Sequence, residues 1–170
     1  DSRKPETESI IRALSPYRPL VHVTDPATVD GGDVLVLGKN IYVGLSTRST
    51  ASALEQLQNL LDNYGYTIIG AEMQDCLHLK TAVTRVDDKT LLINKNWVAP
   101  SYFKGYELIE VDPAEPFAAN CLPVGDGIIY PTTFPKTKQR LEEKGFMVST
   151  VNVDELAKAE GAVTCCSLII

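Results

Sequence analysis

Short apolar runs separated by turn residues recur along the chain, and their grouping repeats. Val34 to Leu37 and Ile41 to Leu45 predict two strands joined by the turn Gly38-Lys39-Asn40. A helix capped by Ser49 or Thr50 follows, with Leu54, Leu57, Leu60 and Leu61 on one face and Gly65 closing it. Tyr66 to Ile69 is the next strand. The same order returns with Leu77 to Val86 and Leu91 to Ile93 around Asp87-Asp88-Lys89, a short helix or loop at Trp97 to Phe103, and a strand Tyr106 to Val111. It returns again with Ala118 to Val124 and Gly127 to Tyr130 around Gly125-Asp126, a helix Pro135 to Lys144 ending at Gly145, and a strand Phe146 to Val151. Successive units begin roughly 45 residues apart, a period that points to a propeller or an array.

The ends carry fragments of the same pattern. Pro5 to Leu14 reads as a helix, with Pro5 in the first position, Glu6 and Glu8 at the positive end of the dipole, and Ile10, Ile11 and Leu14 as its stripe. Leu20 to Thr24 is expected to be a short strand before the turn at Asp25-Pro26. At the other end Val153 to Glu160 predicts a short helix, and Thr164 to Ile170 a buried strand, because Leu168, Ile169 and Ile170 have no reason to face water. Three full units and two fragments do not close a ring, so one or two modules are expected upstream of residue 1, on a fragment of the same protein. Residues 1–170 are then a single α/β domain, the C-terminal part of that array.

Composition narrows the function classes. At 44% hydrophobic and 22% charged the 170 residues are globular, and no apolar run approaches the length of a membrane-spanning helix. A net charge of −6 with no basic stripe argues against a nucleic-acid partner and tolerates a small cationic substrate. The four cysteines, Cys76, Cys121, Cys165 and Cys166, form no CxxC pair and no disulfide framework, which suits a reducing compartment and places the protein in the cytoplasm.

Cys165 is the candidate nucleophile. Free cysteine is among the most buried residue types and usually packs as a small hydrophobe. Cys166 is expected on the opposite side of the strand, so one of the two can face a given site. His78 is expected at the start of a strand and opposite Leu77 and Leu79, and a lone histidine is more often packing or surface than catalysis; His22, between Val21 and Val23, reads as packing or surface. Asp30 stands before Gly31-Gly32, first of all a turn signal. A thiol, an imidazole and a carboxylate, each at a strand edge of a different module, could converge on the axis of a ring. Cys76, His78 and Cys165 lack paired metal-ligand spacing, so no metal is expected.

Five short stretches in order also carry a resemblance: Asp30-Gly31-Gly32-Asp33-Val34-Leu35, Gly44-Leu45-Ser46-Thr47-Arg48-Ser49, Leu77-His78-Leu79-Lys80, Ala118-Ala119-Asn120-Cys121 and Thr164-Cys165-Cys166-Ser167. Together they resemble the dimethylarginine dimethylaminohydrolase (dimethylargininase) branch of the guanidino-group-modifying superfamily. The resemblance implies a five-bladed α/β propeller of ββαβ units, of which this chain supplies about three to four. It implies Cys165 as nucleophile, His78 as general acid/base and Asp30 as the carboxylate that orients it. Arg48 and Arg3 match substrate-gripping arginines, and Glu160 an acidic residue near the guanidinium. The implied reaction is hydrolysis of a methylated arginine guanidinium to citrulline and dimethylamine or methylamine through a covalent thiouronium, with no cofactor. Arginine deiminase and amidinotransferase chemistry remain alternatives, as does an inactive ligand-binding remnant. Thr47-Arg48-Ser49-Thr50 departs from the family's more usual Lys/Glu-Arg-Thr-Asn, and the family's main guanidinium-binding acids precede this chain.

Overall fold

Each of the three strand pairs forms an antiparallel hairpin, and each hairpin takes a third strand in parallel after a crossover. The computed structural model describes residues 4–167. After helix α1 (Lys4–Leu14), β1 (Val34–Leu37) and β2 (Asn40–Leu45) pair antiparallel, and α2 (Ala51–Leu61) returns the chain to β3 (Thr67–Glu72), parallel to β2. Next come a one-turn α3 (Leu79–Ala82), then β4 (Val83–Arg85) and β5 (Thr90–Ile93), with β6 (Glu107–Glu110) parallel to β5. A 3-10 turn, Pro100–Phe103, serves as that crossover. β7 (Leu122–Val124), β8 (Gly127–Pro131), α4 (Pro135–Glu143) and β9 (Met147–Val151) repeat the order, and α5 (Asp154–Ala157) follows. The three sheets remain separate three-stranded sheets. Among the described residues no helix is long and apolar enough to cross a membrane.

The sheets are held together by two apolar clusters. Leu35, Leu37 and Tyr42 of the first sheet pack with Leu79, Val83, Leu91, Ile93 and Phe103 of the second unit. Leu92 and Ile109 pack on the opposite side with Ile128, Tyr130 and Leu141 of the third. β5 therefore contributes to both clusters through alternate residues, as a strand buried on both faces must. The first strands of the hairpins stand side by side, β1 against β4 and β4 against β7. At the first interface Gly44 is required for close approach, because a Cβ there would lie 2.7 Å from the Met73 sulfur and 2.9 Å from Leu79 Cβ. α4 starts at Pro135 and is capped from a distance: Glu115 accepts from the backbone N–H groups of Lys136 (3.0 Å) and Thr137 (2.8 Å).

Several expectations change. Leu20 to Thr24 forms no strand; Val21 and His22 are exposed, and Gln56 of α2 exchanges hydrogen bonds with the Thr24 backbone instead. Residues 77–82 are not the start of a strand. The chain bends at His78 and turns through α3, which buries both Leu79 and Ala82, and pairing begins only at Val83. Alternation could not reveal this, since an i, i+3 pair inside an apolar run reads the same in either period. Ala118 and Ala119 likewise lie in a turn, and strand pairing starts at Leu122. The expected last strand is a turn over residues 163–166. Leu168, Ile169 and Ile170 lie outside the described residues.

Leu141 is fully buried where α4 meets the second sheet. Replacing it with alanine should destabilise the protein by about 2–5 kcal/mol, read as a lower urea midpoint at unchanged slope.

Candidate functional site

The sequence Asp30-Gly31-Gly32-Asp33 folds as a single 3-10 turn, and its two carboxylates face different ways. Asp30 caps the turn, its Oδ1 accepting from Gly32 N at 2.8 Å. Its other oxygen lies 3.9 Å from an Arg48 guanidinium nitrogen. Asp33 is wholly buried and gathers four partners. Ser46 Oγ and Ser49 Oγ each donate to Oδ2 at 2.7 Å, and the backbone N–H of Leu79 donates to Oδ1 at 3.1 Å. The fourth is Nδ1 of His78, 3.3 Å from Oδ1.

His78 thus sits immediately before α3, with its ring held from below and its Nε2 directed outward, 3.5 Å from Arg48 Nη1. Arginine can only donate, so this arrangement makes Nε2 the acceptor and leaves the ring proton on Nδ1, facing Asp33. The contact expected of Asp30 is therefore made by Asp33. The reason is local: Asp30 spends an oxygen on its own turn, and the turn swings Asp33 inward. Gly32 completes the seat, because a Cβ there would come within 2.8 Å of the imidazole Cγ.

Cys165 comes from the far end of the chain. It lies exposed in the turn at residues 163–166, as does Cys166, so the strand that was expected to set the two on opposite faces is not formed there. Val163, 5% exposed, anchors the turn, and Asn120 binds Thr164 through both backbone and hydroxyl. Lys80, two residues beyond His78, donates from Nζ to the Gly31 carbonyl at 3.0 Å. Burial lowers the pKa of this ammonium, while Cys165 and Asp30 act on it electrostatically in the opposite direction. One partly buried cation thus feels both the thiol of the last turn and the carboxylate of the first.

Arg48 lies against both His78 and Asp30. Glu160 is exposed in a left-handed conformation (φ 58°) at the turn after α5. Arg3 lies outside the described residues. Asp33, Lys80 and Asn120 were assigned no role by the sequence reading. A second acid on the far side of Gly-Gly was the signal for Asp33; nothing in the pattern marks which of the two points inward. The other thiols are chemically quiet. Burial pushes Cys76 up to about 11, helped by the charges of Asp33 and Asp75, and pushes Cys121 up to about 12.

The family model for arginine deiminase matches residues 21–117. N(G),N(G)-dimethylarginine dimethylaminohydrolase of Pseudomonas aeruginosa is 31% identical over 170 residues, covering 99% of this chain and 67% of the relative. The protein of the same name from Streptomyces coelicolor is 33% identical over 170 residues, covering 99% of this chain and 65% of the relative. A solved structure of the P. aeruginosa DDAH, a cysteine-to-serine mutant complexed with citrulline, superposes with a TM-score of 0.93 at 30% identity, over 99% of this chain and 67% of that one. The chain thus spans about two thirds of the length of these relatives, and it shares their α/β fold of small mixed sheets.

Iodoacetamide at pH 8 should label Cys165 and Cys166 well before Cys76 and Cys121, whose thiols stay protonated there; peptide mass spectrometry over a time course reads the order.

Proposed function

We propose, for a chain that belongs to the dimethylarginine dimethylaminohydrolase family, hydrolysis of the guanidinium of a methylated arginine, with Cys165 as nucleophile and His78 as general acid/base. The observation that carries this reading is the His78 ring, held at Nδ1 by buried Asp33 with its Nε2 directed outward to the Arg48 guanidinium. In a nucleophile–base–orienter set the base needs one nitrogen fixed and the other free to move a proton. Asp33 takes the orienting part by its contact. Asp30 stays in the site as a second carboxylate, setting Arg48 and adding negative charge towards a cationic substrate.

The steps balance without a cofactor. The Cys165 proton passes to His78 Nε2, and the thiolate attacks the central guanidinium carbon. The substrate's positive charge next to the sulfur favours the thiolate. The tetrahedral adduct collapses as His78 returns that proton to the leaving amine, so dimethylamine or methylamine departs and an S-alkylthiouronium remains on Cys165. His78 then takes a proton from water and the hydroxide adds to the same carbon; the adduct expels the sulfur and gives it the hydroxyl proton, leaving citrulline and the Cys165 thiol, while the proton on His78 passes to solvent. The citrulline complex of the P. aeruginosa relative supports this product. Arg48, Arg3 and Glu160 are assigned to the substrate's amino-acid end and its guanidinium.

The same reading makes the three sheets three blades of a five-bladed propeller, supported by the adjacent first strands β1, β4 and β7. The relatives' additional length is where we place the remaining blades and the acids that pair with the guanidinium. A cytoplasmic location suits four free cysteines. The arginine deiminase match favours a second reading, release of ammonia from unmethylated arginine by the same residues.

Full-length protein offered dimethylarginine and arginine should form citrulline faster from the former, with dimethylamine as co-product. Cys165→Ser should lower turnover by roughly 10³-fold or more, and full activity in that variant would end the proposal.

A further inference from the structure

The hydrolysis above requires a sulfur and an imidazole from distant segments of the chain to hold a fixed separation, and one side chain outside the chemistry links those segments. Asn120 is 6% exposed, and its amide uses both of its functional ends. Oδ1 accepts from Thr164 N at 3.2 Å. Nδ2 donates to Thr164 Oγ1 at 2.8 Å and to the Lys80 carbonyl at 3.1 Å. Thr164 immediately precedes Cys165, and Lys80 lies in the helix that begins just after His78. We propose that Asn120 is a positioning residue that sets the Cys165 sulfur relative to the His78 ring by clamping the nucleophile's turn to that helix; this rests on the reading of Cys165 and His78 given above.

Two features make the clamp stiff. The backbone beneath Asn120 is pinned on both sides: Tyr130 Oη donates to the Ala118 carbonyl at 2.6 Å, and Thr84 Oγ1 donates to the Ala119 carbonyl at 2.6 Å. Thr84 Oγ1 also accepts from Cys121 N at 3.1 Å. The turn itself is otherwise held locally, by Ser167 N to the Thr164 carbonyl and Ser167 Oγ to the Val163 carbonyl. Among the described residues, every hydrogen bond that leaves residues 163–167 for another element runs through Asn120. The geometry of attack tolerates little drift, since a misplacement of about 1 Å can cost about 100-fold in rate.

The test uses full-length protein. Asn120→Ala should lower kcat by about 10–100-fold and leave KM within about threefold, because the clamp touches no substrate. Thr164→Val, which removes only the hydroxyl, should lower kcat less and in the same direction, while Thr164→Ser should keep it. The two losses should not add in Asn120→Ala/Thr164→Val, since both act on one contact. A second readout needs no turnover: the pH dependence of Cys165 alkylation by iodoacetamide in Asn120→Ala should move towards that of His78→Ala. A purely architectural asparagine would lower the unfolding midpoint while kcat and the alkylation profile of the folded protein stayed as in the wild type. That result in Asn120→Ala, or in Thr164→Val should the first variant not fold, overturns the proposal. Absence of citrulline from the wild-type protein would instead sink the functional reading, and the alkylation profiles would still decide the clamp.

Discussion

A carboxylate sealed from water must be surrounded by donors or it destabilises the fold that seals it. Asp33 meets that condition with four partners drawn from two other segments: Ser46 and Ser49 from the loop after β2, and Leu79 N and His78 from the approach to β4. No one of these segments could satisfy it alone. The first hairpin, the start of α2 and the one-turn α3 are therefore locked in relation to one another by a single side chain. The imidazole is one of the four partners, so the position of His78 and the satisfaction of the buried charge are the same requirement. Hydrogen bonding does locally what the apolar cluster of Leu35, Leu79 and Val83 does across the whole interface.

The rest of the site is arranged around that lock by loops and not by strand centres. His78 sits on a bend, Arg48 on the loop before α2, and Cys165 on a turn after α5, while the sheets beneath supply rigidity. Rigid elements with functional residues at their ends are the usual division of labour. The four cysteines show how environment sorts one chemistry into different uses. Cys121 is sealed beside Thr84, Cys76 is half-buried close to two acids, and Cys165 stands exposed near a lysine ammonium. Burial and, for Cys76, negative neighbours hold the first two as thiols.

Much of the fold was legible in the amino-acid order. Alternating apolar runs with Gly38-Lys39-Asn40 and Gly125-Asp126 between them mark the hairpins, and Pro135 with Gly145 brackets α4, because turn chemistry and side-chain period are local properties. The β-β-helix-β order and its repeat follow from those local signals alone. The imidazole and the arginine that meet in the structure, His78 and Arg48, were also singled out there.

Pointing and partnership were decided by tertiary structure. Two acids flank Gly31-Gly32, and only the packing of the turn against α3 selects Asp33 as the partner of His78. The run from Leu77 to Val86 has enough apolar residues for a strand, yet burial of Leu79 and Ala82 together with the Asp33 bond to Leu79 N bends it into a helical turn. Asn120, in an apolar stretch, gives no local hint that its partners lie 40 and 44 residues away in Lys80 and Thr164. Local sequence carries backbone geometry because φ, ψ and side-chain period are properties of neighbouring residues. Which carboxylate meets which imidazole depends on surfaces that exist only once the sheets have packed.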